Sequence, residues 1–232
     1  MNKVGIQKKW SKFKHRVGLF NHVPFVDFAF AAGSMAMGSA REDSDFDVIV
    51  GARHGRIFTV RFFSHLFFAL RKWRATHNSD SHLGVMINHN TRSKTADKIC
   101  LNHFVTPKSY KFSPPYNEYW NKLYSNLVPL LGNEPEIEKF IDMNDWVRPE
   151  RKYMRSPFHE NFKPSRIRKF LERALSGPFG DYIEIKLKAF QIKRIKKSAS
   201  DPSHYKPRII YSDDELEFHP DTKRIEEILT KK

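Results

Sequence analysis

The chain has 232 residues, enough for one large domain or two small ones with a real core, and its 40% hydrophobic content with twenty phenylalanines excludes a disordered chain as the default. A formal charge of +15 calls for an anionic partner: a nucleotide, a nucleic acid or an acidic surface. The single cysteine, Cys100, excludes an internal disulfide and a cysteine-based zinc cluster, and it points to a reducing, cytoplasmic setting.

The first 26 residues contain no acid and many lysines, without the apolar core of a secretory signal. Trp10, Phe13, Val17 and Phe20 recur at three- and four-residue spacing, which predicts an amphipathic helix packed on a sheet; the alternative is a transit peptide. The run from Phe25 to Gly51 then reads as a strand, a tight turn at Gly33-Ser34, a small-residue loop and a second strand carrying Asp45 and Asp47. Phe28 and Phe30 share one face of the first strand. Residues two apart in a strand point to the same side, so Asp45 and Asp47 set two carboxylates on one face, with Phe46 and Val48 anchoring the other. Paired carboxylates beside a glycine turn suit a divalent metal and a polyphosphate.

Ile57 to Trp73 is rich in Phe and Leu, has no internal Gly or Pro, and predicts a buried helix. Arg61 and His65 interrupt it, and its apolar stretch falls short of the roughly 20 residues of a membrane span. Residues 75 to 97 read as an exposed polar excursion with a short strand at Leu83 to Ile87; the spacing of His77, His82, His89 and His103 matches no zinc pattern. Lys98 to Val105 predicts a third strand.

Prolines 107, 114 and 115 mark a boundary, giving a first domain over residues 1–110 and a mainly helical, basic region over 111–232 that packs separately or as one unit with it. There the pattern predicts helices over Tyr116–Leu131, with Pro129 kinking or shortening it, over Pro135–Met143 and over Ser165–Leu175. A highly charged helix follows over Asp181–Lys197, with Ile183, Leu187 and Phe190 inward, joined by Ile185 and Ile192. Its Lys186, Lys188, Lys193, Arg194, Lys196 and Lys197 suit either a phosphate backbone or an ordinary solvated face. Strands at Arg208–Tyr211 and Leu216–Phe218 and a helix from Asp221 complete the tail. Asp213, Asp214, Glu215 and Glu217 read as a charged turn. The expected class is α+β: a mixed sheet with flanking helices, followed by the mainly helical region.

The order apolar strand, Gly33-Ser34, ten residues, Asp45-Phe46-Asp47, apolar run resembles the signature of the polymerase beta-type nucleotidyltransferase superfamily. Ser34, Gly38 and Ser44-Asp45 resemble its minimal nucleotidyltransferase branch in particular. The resemblance implies transfer of a nucleoside monophosphate from an NTP to an acceptor hydroxyl, with release of pyrophosphate. It also implies Mg²⁺ or Mn²⁺ on Asp45 and Asp47 and nucleotide contacts from Gly33, Ser34 and Ser44. The superfamily takes a third acidic residue from a later strand, and the matching position here is Asn102, an amide that can ligate a metal but cannot act as a base. His103 or Asp97 can stand in only if the backbone bends. Met35 and Met37 occupy positions where the family often carries an arginine or other polar residue, which leaves the nucleotide open. Arg41, Arg53 and Arg56 flank the motifs as further candidates for nucleotide contact. Acceptors across the superfamily include RNA ends, proteins and small molecules, and the basic C-terminal half favours a nucleic acid. The competing readings are a catalytically degenerate nucleotide- or RNA-binding module on the same fold and a partner-binding, antitoxin-like protein.

Overall fold

The computed structural model describes residues 2–75, 95–112, 118–147, 158–199 and 208–219. Helix α1 spans Lys3–Val17, with the Asn2 side chain accepting from Gly5 N at 2.9 Å and Lys14, His15 and Arg16 at its negative end. As the spacing predicts, it buries Phe13 and Val17; Phe20 follows in a 3-10 turn over Gly18–His22, and Phe13 stacks on Phe46 at 4.4 Å. Strand β1, Val26–Ala31, runs antiparallel to β2, Phe46–Ala52, and a single helical turn α2, Gly33–Ala36, lies between them. Helix α3, Ile57–Leu70, returns the chain so that β3, Ile99–Val105, pairs parallel with β2. This crossover is the reason a long apolar helix sits between two short apolar strands in the sequence.

Helix α4 is Glu118–Ser125 and is followed by strand β4, Val128–Gly132. The helix expected over Tyr116–Leu131 therefore ends early, and Pro129 sits instead in a strand, opposite Phe30. Proline lacks the N–H that a helix interior needs, while an edge strand tolerates the loss, and β4 is the edge beside β1. Helices α5, Glu134–Met143, α6, Arg166–Ala174, and α7, Pro178–Ala199, match the expected positions, as do strands β5, Arg208–Tyr211, and β6, Glu215–His219. The chain is α+β, and among the described residues it forms a six-stranded mixed sheet in the order β4-β1-β2-β3-β6-β5. The sheet is continuous across the boundary near residue 110, because both of its edges come from the second half of the chain. The expected strand at Leu83–Ile87, three of the excursion's histidines (His77, His82, His89) and the helix from Asp221 lie outside the described residues.

One face of the sheet packs Ala29, Ala31, Phe46, Val48 and Val50 against α1 and α3. The other packs Phe28, Phe30 and Ile49 against Tyr110, Phe112 and Phe140. The alternation expected for both strands is thus present.

Helices α6 and α7 are held to this body by polar side chains. Arg168 Nη2 donates to Val26 O at 2.7 Å and Nε to Glu172 at 2.9 Å, and Glu172 accepts the N–H of Phe25, a non-glycine residue at φ 62°. Glu184 on α7 accepts from Phe58 N and Thr59 N, both at 2.8 Å, and from the Thr59 hydroxyl at 2.5 Å. The α3 N-terminus, whose own N-cap Arg56 offers no side-chain acceptor, is thereby capped from another helix. Gln191 adds a bond to Phe58 O at 2.8 Å. These anchors set the roll of α7: Ile183, Leu187 and Ile192 pack on the core, but Ile185 and Phe190, expected inward, are 63% and 51% exposed.

Candidate active site

Two turns bring the motif residues together. Gly33 has φ 59°, and a Cβ at that position would lie 2.0 Å from Asp47 Oδ2. Glycine is therefore required both for the backbone conformation and for the space that the Asp47 carboxylate occupies. Ala32 N donates to Asp47 O at 3.0 Å, so the turn is tied to the second strand at the aspartate itself. Met37 N bonds to Gly33 O at 3.0 Å and Ser39 N to Ser34 O at 2.9 Å, closing the loop, while Met35 is buried in the core. Gly33 and Ser34 remain half-buried.

Ser44 serves the loop. Its hydroxyl accepts from Arg41 N at 2.9 Å, and its carbonyl accepts from Asp97 N at 3.0 Å and from Lys9 Nζ at 2.8 Å. Lys9 is 4% exposed and also donates to Glu42 O at 3.0 Å and to Asp97 Oδ1 at 2.6 Å. Lys12 pairs with the other Asp97 oxygen, and Arg16 donates to the Asp97 carbonyl. Three basic residues of α1 thus tie the loop just before Asp45 to the entry of β3 at Asp97. Burial alone would raise the Asp97 pKa, but hydrogen bonds from Lys12 and Lys9 hold it below the ordinary range. Asp97 is a structural anchor and is not available as a base. Lys9 escaped the sequence reading; the lysine-rich face of α1 was its only trace.

Asp45, Asp47 and Cys100 form a half-buried group whose ligand atoms all lie within 4.8 Å of one another. Cys100 is opposite Asp47 in the β2–β3 register, which makes it, rather than Asn102, the direct cross-strand neighbour of the pair. Burial pushes the Cys100 thiol well above its usual range, the charges of Asp45 and Asp47 add to this, and the thiol donates to Asp47. Between the Asp47 and Ile49 pairings β3 carries one residue more than β2, so the strand is irregular at Leu101-Asn102. His103 consequently packs with the Phe28–Ile49 side of the sheet, its ring 5.1 Å from Phe112, rather than on the opposite face. There its Nε2 lies 3.3 Å from Glu215 Oε1, and His103, Glu215 and Glu217 make a second group of ligand-bearing side chains. Asp213 and Asp214 occupy the turn before β6, where Asp214 accepts from Thr106 Oγ1 at 2.7 Å.

Of the three flanking arginines, Arg41 pairs with Asp43 at 3.2 Å near the site. Arg53 and Arg56 lie past the far end of β2, over the Phe25 ring at 5.1 and 5.6 Å, and Arg56 pairs with Asp181 at 2.6 Å. Arg74 is a second cation that sequence reasoning missed: it forms a bridge with Ile99, and its field reaches Cys100.

Two carboxylates and a neutral thiol suit Mg²⁺ or Mn²⁺. Such ions take oxygen ligands, and Mg²⁺ in phosphoryl-transfer sites is held by one or two carboxylates together with substrate phosphates. Asp45 and Asp47 fit that requirement, and a protonated Cys100 leaves the oxygens to the metal. Compared with known protein families, curated proteins and solved structures, the chain matches none.

Proposed function

We propose that the chain is a metal-dependent nucleotidyltransferase that moves a nucleoside monophosphate from an NTP to an acceptor hydroxyl with release of pyrophosphate. The observation that carries this reading is the contact between Gly33 and Asp47, with Asp45 and Cys100 completing the group. It links the glycine turn of this chain to its pair of aspartates: the turn leaves room for the carboxylate beside backbone that can approach phosphate oxygens. The antiparallel β1–β2 pair followed by a parallel β3 supports it further.

In this reading Asp45 and Asp47 would hold the metal, and its charge would supply electrostatic neutralisation of the triphosphate and of the leaving pyrophosphate. The Gly33 and Ser34 amides and the Ser34 hydroxyl orient the phosphates. The acceptor oxygen bonds to the α-phosphorus as the bond to the β-phosphate oxygen breaks. Its proton passes to a carboxylate of the Asp45–Asp47 pair and then to water.

A second reading, a nucleotide- or RNA-binding module without turnover, is favoured by Asn102 at the position where the superfamily carries a third acid, and by an uncharged Cys100, not a carboxylate, opposite Asp47. Incubation with labelled NTPs, Mg²⁺ or Mn²⁺, RNA and the protein itself separates the two. Labelling that is lost in Asp45→Asn and Asp47→Asn supports transfer. Equal labelling by wild type and both variants removes it, and NTP binding without labelling leaves the module.

A further inference from the structure

The outward face of α7 carries side chains that the fold does not use. Phe179, Tyr182 and Phe190 are 61%, 54% and 51% exposed, while the polar Glu184 and Gln191 are buried. At about 100° per residue, Tyr182, Lys186, Phe190 and Lys193 fall within an arc of about 80°, opposite Glu184, Gln191 and Ile195. They form one stripe, about 16 Å long, in which rings and ammonium groups alternate. Lys186 lies 5.2 Å from the Tyr182 ring and Arg194 5.4 Å from that of Phe190. From Tyr182 to Lys196 the only acid is Glu184, and it is committed to the α3 N-terminus.

We propose that this face, Tyr182, Lys186, Phe190 and Lys193, is a stacking platform for a single-stranded nucleic acid, whose bases lie on the rings and whose phosphates meet the lysines. Aromatic rings accept any base, and interleaved cations follow the backbone, so the pattern fits a strand without a fixed sequence. A membrane-surface helix instead segregates its apolar residues from its lysines, whereas here the lysines sit between the rings. A second copy of a chain carrying +15 would be repelled from so basic a face. That the bound strand is the acceptor rests on the nucleotidyltransferase reading; the binding itself does not.

The test is fluorescence anisotropy of the full chain with labelled single strands of RNA and of DNA of about 16 nucleotides, without NTP or metal. Co-sedimentation with phosphatidylcholine–phosphatidylserine vesicles and light scattering form the other arms. The double variant Tyr182→Ala/Phe190→Ala is expected to weaken strand binding about tenfold or more. Lys186→Gln/Lys193→Gln is expected to weaken it and to reduce the salt slope by about 1.4. Phe190→Leu keeps the apolar bulk without the ring and should still lose affinity, with an unchanged thermal midpoint. Strand binding equal in all variants overturns the platform, as does binding of the wild type to vesicles or to itself in place of strands. Asp45→Asn/Asp47→Asn should bind strands as wild type does. Binding without transfer removes the activity alone, and transfer unaffected by α7 variants that have lost strand binding removes the strand as acceptor alone.

Discussion

The Asp47 carboxylate fills the volume that any side chain on residue 33 would need: a Cβ on Gly33 would stand 2.0 Å from Asp47 Oδ2. Gly33→Ala must therefore move the aspartate, the turn or both. The positive φ alone costs about 1–2 kcal/mol with alanine. The expected result is a lower thermal midpoint and, from a misplaced ligand, a loss of labelling of about 100-fold or more. A Gly33→Ala protein with wild-type Mn²⁺ affinity would show that the contact does not matter to the site.

Cys100 faces Asp47 across β2 and β3, so Cys100→Asp places a third carboxylate where the pair already stands. Without metal the three charges repel and stability should fall; with Mn²⁺ the thermal midpoint should recover by more than it does in the wild type. Under the transferase reading the new carboxylate also accepts the acceptor proton, and turnover should rise by about 100-fold. Scanning calorimetry with and without Mn²⁺ measures the first effect, and labelling kinetics the second.

Asp97 ties α1 to the entry of β3. Asp97→Asn keeps a residue tolerant of its φ of 62° but removes the charge seen by Lys9 and Lys12. Because the pair is partly exposed, the expected loss is about 1–2 kcal/mol. A lowered folded pKa gives stability that is present above the ordinary aspartate value and fades as the pH falls through the folded one. The difference between the proteins should thus be full at neutral pH and disappear in acid. Denaturant melts across that range check it.

Asp27 behaves in the opposite sense. Burial raises its carboxyl to about 6, with Arg53 and Arg168 opposing and Glu136 and Glu172 adding. The folded state holds its proton more tightly than the unfolded one, so stability is greatest below the unfolded value and declines as the pH rises through about 6. Asp27→Asn should stabilise the protein by up to about 3 kcal/mol at pH near 8 and by little near pH 4. A benefit that does not change with pH would contradict the assignment.

Glu184 supplies the acceptors that α3 lacks. Glu184→Ala leaves the Phe58 and Thr59 N–H groups without their partner, at an expected cost of about 2 kcal/mol or more. Glu184→Gln retains one acceptor oxygen and should lose less. Urea unfolding of the two variants ranks them.

Periodicity carried most of the fold. The alternation around Phe28, Phe30, Phe46 and Val48 was visible because the two buried faces take different side chains, Phe28 and Phe30 against Ala29 and Ala31, Asp47 against Phe46 and Val48, and the crossover helix because its length exceeds any strand. Pro129 was the warning at Tyr116–Leu131. Its neighbours Val128, Leu130 and Leu131 fit a helix or a buried edge strand equally, and only the pairing with β1 decides. On α7 the pattern misled, because Glu184 and Gln191 bond to the first turn of α3 and turn Phe190 outward; periodicity has no term for such a bond. The Asp45–Asp47 geometry was legible from spacing alone. Cys100 was not, because the extra residue in β3 shifts the register between the strands, and a linear pattern does not reveal which residue stands opposite Asp47.

The sheet order has a consequence for how the molecule comes into being. The three strands around the carboxylates leave the ribosome first, yet β1 waits for residues 128–132 and β3 for residues 215–219 before their open edges are covered. Until then both present unpaired N–H and C=O groups to any neighbouring nascent chain. Pairings so distant in sequence also slow the final closure, which makes the interval before residues 215–219 pair with β3 the time when this chain is most prone to aggregate.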